Sequence, residues 1–110
     1  MSDASTDERE LGPIGTKLLF ENARVRVWEV RLAPGARGAV HHHELDHVLV
    51  QIRGDRIAVE SEPDSPTPWG PYLEAAIAPG DFTFQRRGGI ETAVNVGAED
   101  FHELIIELKD

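Results

Sequence analysis

Residues 35–54, GARGAVHHHELDHVLVQIRG, decide how this chain is read. Glycines bound the stretch at Gly35 and Gly54, and three of its histidines are His41, His43 and His47. In an extended backbone successive side chains alternate, so His41 and His43 share one face and His42 takes the other. A tight turn at residues 44–46 returns His47 beside them. Three imidazoles converging on one point suit a divalent transition metal.

Outward from this stretch the chain reads as short strands with turns between them. Gly54-Asp55 is a hairpin signal, and RIAVESE (56–62) returns from it. Upstream lie KLLFEN (17–22) and VRVWEVRLA (25–33), then a Pro34-Gly35 turn and a first histidine strand over 39–43. In 25–33, Val25, Val27 and Glu29 share one face, while Trp28, Val30 and Leu32 take the other. Apolar groups on both faces predict a strand covered on both sides. Downstream, YLEAAIA (72–78), the turn Pro79-Gly80-Asp81 and DFTFQR (81–86) form a strand–turn–strand unit. Gly88-Gly89 breaks the chain before IETAVNV (90–96), a turn at 97–100 and FHELIIELK (101–109). Leu104, Ile105 and Leu108 lie at helical spacing, but nine residues among so many strands read as a strand. Eight or nine short strands at regular spacing predict a sandwich or small barrel.

The loop at 63–71, PDSPTPWGP, holds four of the seven prolines. It is either a surface excursion or a lid at a pocket mouth. Residues 1–16 are expected to be a flexible acidic arm, since Gly12, Pro13 and Gly15 block regular structure. Residues 17–110 are then one barrel, as 110 residues allow a single core.

With 20 acidic and 11 basic residues the formal charge is −9, which repels nucleic acid and anionic membranes. There is no cysteine, so disulfides, thiolate metal sites and thiol nucleophiles are excluded together. The start, MSDASTDERE, lacks an apolar core for a signal peptide, and no stretch is apolar enough to span a membrane. A cytoplasmic location is expected.

Two spacings carry a family resemblance. The first is Gly35, five residues, His41-His42-His43, three residues, His47, six residues, Gly54. The second is Gly80, five residues, Arg86-Arg87-Gly88, two residues, Glu91, three residues, Asn95. Over roughly residues 24–108 the chain resembles the cupin superfamily, whose two motifs have these spacings. It also looks like the small single-domain cupins termed β-alanine-degradation-type. The family's usual ligands are three histidines and a glutamate. Here His47 stands at the glutamate position, Glu91 at the second-motif histidine position and Arg86 at a proline position. The inventory of three imidazoles and one carboxylate is kept.

What the resemblance implies is an all-β, cupin-type double-stranded β-helix, or jelly-roll barrel. It implies a divalent transition metal (Fe, Mn, Ni or Zn) on His41, His43, His47 and Glu91. The bland reading of His41–His43 is a solvated histidine run, and that of His47 is a core histidine or one that supports a ligand from behind. Glu91 is a fourth ligand, an unligated general base, or a carboxylate satisfied by Arg86 or Arg87. Gln51 shares its parity with His47 and Leu49, so it orients a ligand or water, or sits at the rim. Glu91 and Gln51 are the candidate catalytic residues. Asn95 shares a face with Glu91. His102 reads as a core histidine, Trp69 and Tyr72 as packing or pocket wall, and Arg86 and Arg87 as partners for nearby carboxylates.

The implied function is a metal-dependent enzyme of the dioxygenase, isomerase or lyase class acting on a small polar molecule. The other reading is a non-enzymatic module that binds or senses a small molecule or metal. An apolar outer sheet face, with Val48, Val50 and Ile52 and also Trp28, Val30 and Leu32, predicts a homodimer.

Overall fold

The computed structural model describes residues 9–110. Nine strands run through them: β1 (Lys17–Glu21), β2 (Val25–Leu32), β3 (His41–His42), β4 (His47–Arg53), β5 (Arg56–Ser61), β6 (Tyr72–Ala76), β7 (Phe82–Gln85), β8 (Ile90–Val94) and β9 (Phe101–Leu108). They form two antiparallel sheets. One has five strands in the order β1-β2-β9-β4-β7, and the other has four in the order β3-β8-β5-β6. No helix of the described residues is long and apolar enough to cross a membrane. The architecture is the all-β jelly roll that the sequence predicts, and β9 is a strand along its whole length.

The connections differ from the expected hairpins. Gly54-Asp55 does not join paired strands, because β4 lies in one sheet and β5 in the other. The same holds for Pro79–Asp81, which carries the chain from β6 across to β7. Each turn is therefore a corner between sheets. Gly54 suits its corner because its φ is +135° and a β-carbon there would stand 3.2 Å from Cδ1 of Phe101. Hairpin ladders form only at β1–β2 and β5–β6 among the described residues. The strand expected over 39–43 contracts to His41–His42.

The faces of β2 also settle differently. Val30 and Leu32 are buried with Phe101 and Ile105, and Trp28 packs against this cluster. All three β2 residues therefore point into the barrel and are not part of its outer face. Burial of Phe101, 2% exposed, contributes on the order of 1.5–3 kcal/mol. On β9 buried and half-buried residues alternate, so Phe101, Glu103, Ile105 and Glu107 face inward while His102, Leu104, Ile106 and Leu108 face outward. Two of the four inward positions are carboxylic acids. Glu107 is answered there by Arg26 Nε at 2.6 Å and Trp28 Nε1 at 2.7 Å.

Of the expected N-terminal arm, residues 1–8 lie outside the described residues. Residues 9–16 run along the barrel: Gly12 N–H donates to Val40 O at 2.7 Å, and Ile14 packs against the core.

Candidate metal centre

The four residues of interest come from both sheets. His41 and Glu91 are register partners across β3 and β8, which turns both side chains to the same inward face. His43 follows two residues on, and His42 points away, half-buried. His47 opens β4 in the facing sheet. The Glu44–Asp46 turn thus crosses between the sheets and stacks the His47 ring on His43, with centroids 4.0 Å apart and planes 14° apart. His41, His43, His47 and Glu91 are all buried.

Donor atoms of His41, His43 and Glu91 lie within 4.8 Å of one another. Glu91 Oε2 is 3.4 Å from His43 Nε2 and 3.9 Å from His41 Nε2. His47 stands beside this trio and is not part of it. Its Nε2 lies 3.3 Å from the Gln85 amide oxygen.

Hydrogen bonding fixes which ring nitrogens carry lone pairs. His41 Nδ1 is 3.0 Å from Ala39 O and His47 Nδ1 is 2.9 Å from Leu45 O. In each case the partner is the carbonyl two residues back, so each Nδ1 carries the proton and donates it. Burial pushes both imidazoles below their ordinary pKa, reinforced by His43. Both rings are then neutral at neutral pH and carry their lone pair on Nε2. It follows that Gln85 presents its NH₂ group, not its oxygen, toward His47. A backbone carbonyl on one nitrogen and a free lone pair on the other is the state in which histidine binds metals. Burial pushes the Glu91 carboxyl up, but the His43 hydrogen bond and the neighbouring imidazole rings hold it below its usual value. The Nε2 lone pairs of His41 and His47 and an ionised Glu91 carboxylate are ligand forms that metal binding uses. His43 Nδ1 is buried with no hydrogen-bond partner, so that ring is held by its Nε2 side alone. These residues therefore fit a divalent transition metal.

Two cavities meet at the cluster. The larger, about 560 Å³, is lined by His41, His43 and Glu91 and is otherwise walled mainly by aliphatic and aromatic side chains such as Ile57, Val59, Leu73, Ile77 and Ile105. The smaller, about 350 Å³, lies on the His47 side beneath Pro66, Thr67, Pro68 and Trp69 of the proline-rich loop. The loop is anchored by Ile90 N–H donating to Ser65 Oγ at 3.0 Å and by the Thr67 hydroxyl donating to Ser61 Oγ at 3.1 Å.

Gln51 lines the larger cavity. Its Nε2 donates to Glu103 Oε2 at 2.6 Å. Glu103 was absent from the sequence reading. The signal for it is parity, since it sits between Phe101 and Ile105 on an inward face. Burial pushes the Glu103 carboxyl up to about 7; the Gln51 hydrogen bond opposes the rise and the Glu91 charge adds to it.

Other expected residues take structural roles. The Asn95 amide donates to Leu32 O and Glu99 O while its oxygen accepts from Gly97 N–H, so it ties turns together. His102 is on the outer face of β9, with Nε2 3.2 Å from Glu29 Oε1, and is not a core histidine. The Tyr72 hydroxyl donates to Glu74 at the surface. Arg87 pairs with Asp46 and Asp110.

No family model and no curated protein matches this sequence. Among solved structures, the fold is similar to a cupin domain from Bordetella pertussis Tohama I. That match has a TM-score of 0.73 and 23% identity, and it covers 94% of this chain and 100% of that one. It is also similar to the polyketide cyclase from Streptomyces resistomycificus, with a TM-score of 0.58, 20% identity, 81% of this chain and 57% of that one. A third likeness is to the DMSP lyase from Ruegeria pomeroyi DSS-3, with a TM-score of 0.57, 18% identity, 81% of this chain and 40% of that one. The chain has the small single-domain cupin fold.

Proposed function

We propose that this chain is a metal-dependent enzyme acting on a small molecule held in the barrel, with the metal on His41, His43 and Glu91. The observation that carries this reading is the buried trio of donor groups within 4.8 Å, opening on a 560 Å³ cavity. His47 is the candidate fourth ligand, since its Nε2 lone pair is set by Leu45 and the Gln85 amide stands 3.3 Å from it. A divalent metal there would polarise a bound carbonyl or hydroxyl oxygen. Glu91 holds a negative charge beside the bound molecule and can accept a proton from it. Similar barrels include a cyclase and a lyase, which favours turnover over passive binding.

The test is elemental analysis of protein purified without a nickel column. About one transition metal per chain is expected, and the His41→Ala/His43→Ala double variant should carry none. Retained metal in that variant would overturn the assignment. A tightly bound organic ligand recovered chemically unchanged would favour a binding or sensing role.

The reading includes a homodimer. An unbroken apolar row crosses the outer face of the five-stranded sheet: Phe20, Val27, Ile106, Val48 and Phe84 are successive register partners. Phe20 is 53% and Phe84 55% exposed. On a chain of charge −9, an uncharged strip lets two copies meet without like-charge contact. A two-fold dimer would bury it symmetrically.

A further inference from the structure

The larger cavity has a second polar feature besides the histidine cluster. Gln51 and Glu103 both line it. Their pairing in neighbouring strands is fixed by the β4–β9 register, which sets Glu103 opposite Gln51. Glu107, the other acid on the inward face of β9, has two cationic or N–H donors. Glu103 has Gln51 alone among the described residues. The Gln51 carbonyl oxygen, Oε1, is itself buried without a partner. The other neighbour of Glu103 in the sheet is Val30 of β2, and the ionisable group that acts on Glu103 is Glu91. A buried acid with a single amide partner costs stability unless something else uses it.

We propose that Gln51 and Glu103 form a ligand-binding subsite that holds a neutral oxygen function of a largely apolar molecule whose other end reaches the His41–His43–Glu91 cluster. The ligand class follows from the chemistry of the walls. Away from these poles the walls are mainly aliphatic, with Phe101 beside them, which selects a hydrocarbon or ring skeleton, while Arg31, Arg37 and Asp81 also line the cavity. At the Gln51–Glu103 pole the Glu103 carboxyl has one oxygen beyond its bond to Gln51, and the Gln51 carbonyl is an unfilled acceptor. With the Glu103 carboxyl in its neutral form, an alcohol or phenol satisfies both: its oxygen accepts from the Glu103 O–H and its own O–H donates to Gln51 Oε1. A carboxylate placed there has no O–H to give the Gln51 carbonyl. The small polar molecule implied by family resemblance is thus replaced by an amphipathic one. This rests on the metal reading only for the far end of the ligand.

The experiment separates the two ends. In metal-free protein treated with chelator, 4-ethylphenol and ethylbenzene are titrated while the Gln51 side-chain amide is followed by ¹⁵N NMR. The phenol should shift the Gln51 amide pair, and ethylbenzene should leave it in place. In Glu103→Leu the phenol should lose about tenfold in affinity while ethylbenzene does not weaken. Glu103→Gln, which keeps the shape, should lose less. Equal binding of phenol to wild type and Glu103→Leu, or a Gln51 amide unmoved at saturation, would overturn the proposal. In metal-loaded protein, benzohydroxamic acid should bind at least tenfold more tightly than acetohydroxamic acid, because its ring fills the apolar span. Equal affinities would overturn the ligand class. Failure of both hydroxamates, with the phenol result intact, would count against the metal assignment and leave the Gln51–Glu103 subsite standing.

Discussion

Glu91 lies directly across the β3–β8 ladder from His41, and its carboxylate reaches 3.4 Å from Nε2 of His43. One register therefore places a carboxylate against two imidazoles that sit about fifty residues earlier in the chain. The strand pairing, not the local sequence, builds the site. Glu91→Gln tests it, because the amide keeps the shape and removes the charge. Metal affinity should fall by at least tenfold, or about 1.4 kcal/mol. Competition against a fluorescent chelator would read this, and unchanged affinity would remove Glu91 from the ligand set.

The tautomers of His41 and His47 are a second expectation. Each Nδ1 faces a backbone carbonyl two residues back, which leaves the lone pair on Nε2. Long-range ¹H–¹⁵N spectra of metal-free protein above neutral pH should show both rings protonated at Nδ1. Protonation at Nε2 in either ring would mean that its carbonyl contact does not set the donor atom.

How much of this was legible follows from the period of two. Alternation alone turns His41 and His43 to one face and His42 to the other, and it is satisfied by a single strand. It says nothing about which sheet receives the next strand. Gly54-Asp55 therefore read as a hairpin, while the long-range pairing of β4 with β7 and β9 made it a corner. The same gap hid the orientation of β2: apolar residues on both faces do not reveal that Trp28, Val30 and Leu32 meet Phe101 and Ile105. Glu103 was obscured by the competing helical spacing of Leu104, Ile105 and Leu108. Once 101–108 is a strand, the parity of Phe101 and Ile105 carries Glu103 inside.

That buried acid gives a pH dependence whose sign can be worked out. Its folded pKa, about 7, is above the ordinary 4.5, so the fold favours the neutral form. The stability it contributes is intact below about pH 4.5 and is lost as pH rises toward 7. Glu103→Gln removes this loss. Its stability relative to wild type should rise between pH 5 and pH 8 by up to about 3 kcal/mol. His41 and His47 act in the opposite window, because their depressed values contribute stability that is present above about 6.5 and lost as pH falls. Denaturant melts of metal-free wild type and Glu103→Gln at both pH values would check this. Parallel pH profiles would show that Glu103 does not titrate in that range.

The apolar row on the five-stranded sheet sets the last expectation. Val48 is the fourth of its five members, between Ile106 and Phe84, while its neighbour His47 points into the barrel. Light scattering at micromolar concentration should give twice the mass of one chain. Val48→Lys places a charge within the row on each copy, so a two-fold contact over the row must bury both lysines. Dimer dissociation should strengthen by at least a hundredfold, or about 3 kcal/mol, through desolvation and repulsion. Metal content should stay unchanged, since the substituted side chain is on the outside of the sheet. A monomeric wild type would leave this face without the partner assigned to it, and a monomeric Val48→Lys protein that had also lost its metal would place the defect in the barrel and not at the interface.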